Sequence, residues 1–115
     1  MSSMWYAASL FMKGTQSITP PIPPLWEESI VLVDAPDIPA AMDKARELGR
    51  SKEHKYYVDQ PSRHEMQWEF IRVERVYEID GSVFSSGIEV FSRFLRDSEA
   101  QSLLTPFDNN KGLGV

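Results

Sequence analysis

The sequence predicts an α+β fold built on a single antiparallel sheet, and three features carry that expectation. Extended segments with alternating apolar residues recur along the chain, one strongly amphipathic helix interrupts them, and short turns join the neighbours. The expected architecture is a sheet of four to five strands with one main helix packed on one face and a short C-terminal helix. A chain of 115 residues is sized for one core. Residues 1–104 are expected to form that single domain, and 105–115 a flexible tail rich in glycine and asparagine.

Trp5 to Lys13 opens the chain as a strand. Trp5, Ala7 and Phe11 lie on one side and Tyr6, Ala8, Leu10 and Met12 on the other, so both faces are apolar and the strand is expected either at the centre of the sheet or covered on its second side by a partner. Gly14 to Pro24 follows as a stiff connection, because Pro20, Pro21, Pro23 and Pro24 cannot donate ladder hydrogen bonds. Its Pro-x-x-Pro spacing also fits aromatic-groove domains, but a surface connection is the plainer reading. Leu25 to Ala35 is the clearest strand, with β-branched Ile30, Val31 and Val33 and strict alternation. One of its faces carries Trp26, Ile30 and Leu32, and Glu28 intrudes among them.

Asp37 is a good N-cap, and Pro39 falls in the first turn, where a missing N–H costs little. Ile38, Ala41, Met42, Ala45 and Leu48 then form one apolar stripe, predicting a helix over Asp37–Leu48 with Gly49 as its C-terminal cap. Lys55–Asp59 and Glu65–Ile79 read as a hairpin around Gln60-Pro61-Ser62-Arg63. In its second arm the apolar parity changes between Met66, Trp68, Phe70 and Ile71, Val73, Tyr77, which predicts a bulge near Phe70–Ile71. Ser82–Gly87 is a loop, and Ile88–Arg96 is expected to form a last strand, although Val90, Phe91, Phe94 and Leu95 also fit a helical face. Ser98 to Gln101 has the form of a capping box for a short helix reaching Leu104.

Composition narrows the function classes. The net charge is −5, with runs of mixed sign and no block of like charges, so attraction to phosphate backbones is not a driving force and no nucleic-acid partner is expected. The absence of cysteine removes disulfides, thiol nucleophiles and cysteine-held metal centres. No apolar run has membrane-spanning length, and Met4–Met12 lacks the basic start of a signal peptide. A cytoplasmic protein without membrane contact is the expectation.

Chemical motifs are sparse. His54 and His64 flank the hairpin but lack a third ligand at suitable spacing, and they read as exposed histidines without partners; no metal and no cofactor is expected. Neither a nucleophile elbow nor a phosphate-cradling glycine loop is present, so no catalytic residue is assigned. Glu27 and Glu28 point to opposite faces of a strand and cannot act as one acid/base pair. Glu28 shares its face with apolar residues and calls for a cationic partner: Arg93, Arg72 or Arg75. Aromatic residues on nearly every strand exceed what one small core encloses, which points to a ligand cleft or a protein interface.

Several motifs together resemble a short bacterial family, the domain of unknown function 4288 family. They are Met4-Trp5-Tyr6-Ala7-Ala8, Leu25-Trp26-Glu27-Glu28-Ser29-Ile30-Val31-Leu32-Val33, Ala41-x-x-x-Ala45 with Gly49, the Tyr57 strand, Trp68-x-Phe70, Val76-Tyr77-Glu78 and Gly87-x-Glu89-Val90. The resemblance covers roughly Met4 to Arg96. It implies a compact bacterial α+β domain and brings no activity with it. The long proline cluster and the Gln60–Arg63 turn depart from the family pattern, both in loops.

The functional expectation is a non-catalytic protein-interaction module acting as a homo-oligomer, a dimer for preference. Tyr6, Trp26, Glu28, Trp68, Glu89 and Arg93 are the candidate binding residues. The alternative is a small-molecule binding protein or enzyme, with Glu28, Glu89, Arg93 and Tyr6 lining an aromatic cleft.

Overall fold

The computed structural model describes residues 4–80 and 84–105. Its elements are β1 (Met4–Gln16), β2 (Leu25–Ala35), α1 (Ile38–Ser51), β3 (His54–Val58), β4 (His64–Glu78) and α2 (Asp97–Leu104). Among the described residues the strands form one antiparallel sheet in the order β2-β1-β4-β3. The two-faced apolar strand is central, one of the two placements its sequence predicts. Among the described residues the sheet has four strands, and all of the expected tail at 105–115 except Thr105 lies outside the described residues.

Residues opposite one another in an antiparallel ladder share a face, so the register sorts every side chain. Tyr6, Ala8 and Leu10 of β1 stand opposite Val33, Val31 and Ser29 of β2, and opposite Glu78, Val76 and Val73 of β4. This is the helix face. Tyr6, Ala8, Leu10, Val33 and Ala35 pack there on Ala41 and Ala45 of α1, with Phe70, Val73 and Val76 beside them. Small residues on both sides let helix and sheet approach closely.

Asp37 caps α1 as expected, its Oδ1 accepting the Ala40 N–H at 2.9 Å. Gly49 is not the cap. The helix runs on to Ser51 and is capped at Lys52, while Gly49 is buried within it. Its role is close approach: a Cβ there would stand 2.4 Å from the Phe70 ring. The expected bulge falls opposite Phe11/Met12, where Ile71 is the extra residue. A second one, at Glu74 opposite Ser9/Leu10, went unforeseen because Val73 and Val76 are three apart and fit neither parity.

Ile88–Arg96 is the main correction. It is neither strand nor helix, and it joins no ladder. It crosses the other face of the sheet, the back face, and its odd-numbered side chains reach the sheet: Glu89 and Phe91 meet Tyr77, and Arg93 meets Glu28. An extended chain laid on a face has the same period of two as one paired at an edge, so alternation could not separate them. The capping box also moves back. Arg96 caps α2, and Glu99 accepts its N–H at 2.8 Å, so Ser98 lies inside the helix. The two guanidinium contacts and this backbone bond hold the Glu99 carboxyl below its ordinary range, the backbone bond contributing most.

Candidate functional site

The back face is organised around Ser9, which is fully buried at the centre of β1. Its hydroxyl donates to Oε2 of Glu28 at 2.5 Å, and Arg93 Nη1 donates to the same oxygen at 3.2 Å. Glu28 stands opposite Phe11, one step diagonally from Ser9, which is why a strand residue that looks intrusive in the sequence finds a polar partner. Glu28 and Arg93 keep about a quarter to a third of their side-chain surface, 26% and 30%. A pair so exposed contributes on the order of 1 kcal/mol or less. Tyr77 donates its hydroxyl to Glu89, and that bond, with burial behind it, raises the phenol above its ordinary value. Tyr77 also lies 6.1 Å from Phe91, and Trp5 meets Phe84 edge-on at 5.8 Å. Together these contacts strap residues 84–93 across the sheet.

The six candidate residues divide between the two faces. Glu28 and Arg93 are joined directly. Glu89 shares their face but is bound to Tyr77, and Trp26 lies at the β2 margin with Lys13 Nζ 5.8 Å over its ring. Tyr6 is on the opposite face, 2% exposed in the core. Burial, followed by Glu78 and Asp37, raises its phenol above the ordinary value. Trp68 is also on the helix face, where its Nε1 donates to Tyr56 Oη at 3.2 Å. The cleft expected to combine Tyr6 with Glu28, Glu89 and Arg93 is therefore divided by the sheet itself. Of the three arginines considered for Glu28, Arg93 is the partner, and Arg72 instead pairs with Glu74 at 2.7 Å.

The histidines do not meet across the hairpin. His54 stands opposite Trp68, and His64 stands opposite Val58 at the other end. His64 is buried, not exposed. Its Nδ1 lies 2.6 Å from the Ser62 carbonyl and its Nε2 2.6 Å from Gln16 Oε1, tying the start of β4 to the end of β1. Sequence reading missed this because the partner, Gln16, is 48 residues away.

The sheet margins carry the stronger functional signal. On one side β3 covers only residues 64–68 of β4. Beyond that point Glu53 Oε2 accepts the Phe70 N–H at 2.9 Å, and the bulges at Ile71 and Glu74 break the ladder's regularity. Short partners, side-chain caps and bulges are the devices that keep an edge from pairing with other chains. On the other side β2 presents eleven residues in unbroken register with β1 and, among the described residues, has no neighbour outside it. Trp26, Ile30 and Leu32 are about half exposed there, at 52%, 48% and 47%. A groove of about 540 Å³, lined by Trp5, Leu32, Val33, Lys44 and Leu48 among others, runs between this strand and α1.

Residues 5–92 match the family model described as Domain of unknown function (DUF4288), and the chain belongs to that family. Searches of curated proteins and of solved structures give no match. No helix among the described residues is long and apolar enough to cross a membrane.

Proposed function

We propose that the protein is a non-catalytic interaction module that works as a homodimer, two copies joining along their β2 edges into a continuous eight-stranded sheet. The observation that carries this reading is the contrast between the guarded margin at β3–β4 and the unguarded, apolar margin at β2. An unpaired edge of that length, at roughly 3.3 Å per residue, offers about 35 Å of free N–H and C=O groups to a partner strand. A cysteine-free chain also suits a reducing compartment such as the cytoplasm.

Self-pairing is favoured by the register that β2 allows. Opposed residues must share a face, so a twofold axis has to pass through a residue. With the axis at Ile30 all eleven residues pair. Leu32 then meets the partner's Glu28, Trp26 meets the partner's Asp34, and Val33 meets the partner's Glu27. No acid opposes an acid. Moving the axis to Val31 sets Glu28 against the partner's Asp34, and moving it to Glu28 sets that carboxylate against its own copy, which is destabilising. With the axis at Ser29, Pro23 and Pro24 enter the ladder, where they lack a donor.

Light scattering at two concentrations about tenfold apart tests the reading. The expected mass at the higher concentration is twice 13.2 kDa. A single-chain mass at both overturns it. A second reading, a small-molecule or catalytic site around Glu28 and Arg93, draws on their direct contact. It predicts thermal stabilisation by a ligand that Glu28→Gln abolishes; against it, Ser9 and Arg93 already occupy one oxygen of the carboxylate.

A further inference from the structure

On the helix face, α1 ends at Ser51 while the sheet continues beneath and beyond it, leaving a cleft of about 630 Å³. Met12, Glu27, Lys52, His54, Tyr56 and Trp68 line it, together with Ser51. We propose that this cleft is a binding site for a zwitterionic amino acid with an aromatic side chain.

The rings of the floor are held in place by packing and hydrogen bonds. Gly14 has no side chain, and the indole of Trp68 occupies the space above it: a Cβ on Gly14 would stand 2.8 Å from that ring. Trp68 Nε1 donates to Tyr56 Oη, and Tyr56 stacks on His54 with ring centroids 5.4 Å apart and planes 19° apart. His54 is fixed in turn, since its Nδ1 lies 2.8 Å from the Lys52 carbonyl, which can only accept. The linked aromatic rings therefore present an apolar surface suited to an aromatic ring.

The rims supply opposite charges. Glu27 stands on β2, across β1 from the strand that carries Trp68, so about 10 Å of sheet separates the two strand axes. Lys52 comes from the end of α1. Neither Glu27 nor Lys52 forms an ion pair or a side-chain hydrogen bond with any described residue, although both line the same cleft. A carboxylate and an ammonium that line one cleft without an ion-pair partner match the ammonium and carboxylate of a free amino acid, whose ring then lies on the Trp68–Tyr56 floor. The cleft volume falls within the range of small-ligand sites.

The test is titration of the intact protein with L-phenylalanine, followed by the Trp68 indole N–H signal in a nitrogen-correlated NMR spectrum. The signal is expected to shift saturably. Lys52→Met and Glu27→Gln are each expected to weaken binding about tenfold with the fold intact by circular dichroism. Phenethylamine, which lacks the carboxylate, is expected to lose affinity on Glu27→Gln but not on Lys52→Met, and 3-phenylpropionate the reverse. No saturable shift up to about 10 mM overturns the proposal. So does an unchanged affinity in both variants, or tighter binding of adenosine that neither variant alters. Glu27 lies on β2 but Lys52 and Trp68 lie outside it, so a monomeric protein that binds phenylalanine, or a dimer that does not, separates this proposal from the dimer reading.

Discussion

The two margins of the sheet are built by opposite rules. At the β3–β4 margin the partner strand is only five residues long, a carboxylate caps the next free N–H, and two bulges turn the backbone out of register. At the β2 margin eleven residues run straight, with Trp26, Ile30 and Leu32 open on the back face. An exposed, regular, apolar edge is a liability unless something pairs with it. Among the described residues one edge is guarded and the other bare, and that asymmetry is the reason for proposing an interface at β2.

The largest expected effect comes from breaking that bare edge. Ile30→Asp with Leu32→Asp sets a carboxylate at position 30 against its own copy and one at position 32 against the partner's Glu28, and should weaken dimerisation by at least ~100-fold, about 2.7 kcal/mol. Sedimentation should then show a single-chain mass with an unchanged far-ultraviolet spectrum. An unaltered dimer would mean that the interface lies elsewhere.

The guarded margin rests on the seat of Phe70 beneath α1, so Gly49→Ala comes next. The added methyl must displace that ring, at a cost of about 1–3 kcal/mol in thermal or denaturant unfolding. Full retention of stability would show that Phe70 moves aside freely. Glu53→Ala should cost less, about 1 kcal/mol, because it frees one exposed N–H. It should also promote concentration-dependent association at this margin, visible by light scattering, if the carboxylate guards the edge.

The smallest effect concerns the strap on the back face. Tyr77 keeps its proton more tightly in the fold than in the unfolded chain because Glu89 accepts it. A raised folded value means stability is full below the unfolded phenol's pKa, about 10, and falls as pH climbs through the folded one. Melting curves between about pH 9 and 11 should show this decline in the native chain and a shallower one in Tyr77→Phe. Identical slopes would mean that the bond contributes nothing to holding the strap.

Much of the fold was legible because its signals are local. Asp37 caps the helix, alternation marks β2 from end to end, and the parity change at Phe70–Ile71 announces a bulge. The candidate site was read less well. Glu28 among apolar residues signals a need for a cation, but choosing Arg93 over Arg72 and Arg75 requires knowing that residues 84–93 fold back over the sheet. Tyr6 and Glu28 sit on strands whose faces cannot be matched until pairing register is known. The pairing of β1 with β2 and β4 then places them on opposite sides. His64 looked like a surface residue because its partner, Gln16, is distant in sequence.

Periodicity and local motifs in the chain encode the α+β class and the family, and they narrow β1 to a strand with two covered faces. The sequence by itself also determined a small acidic chain without cysteine. Tertiary structure decided that Gly49 serves close packing and not capping, that Ile88–Arg96 lies on a face and not in the ladder, and that one edge is bare. The physical reason is common to all three. Each depends on what stands across a gap of a few ångströms from residues distant in the chain, and alternation along a strand records only that a partner exists.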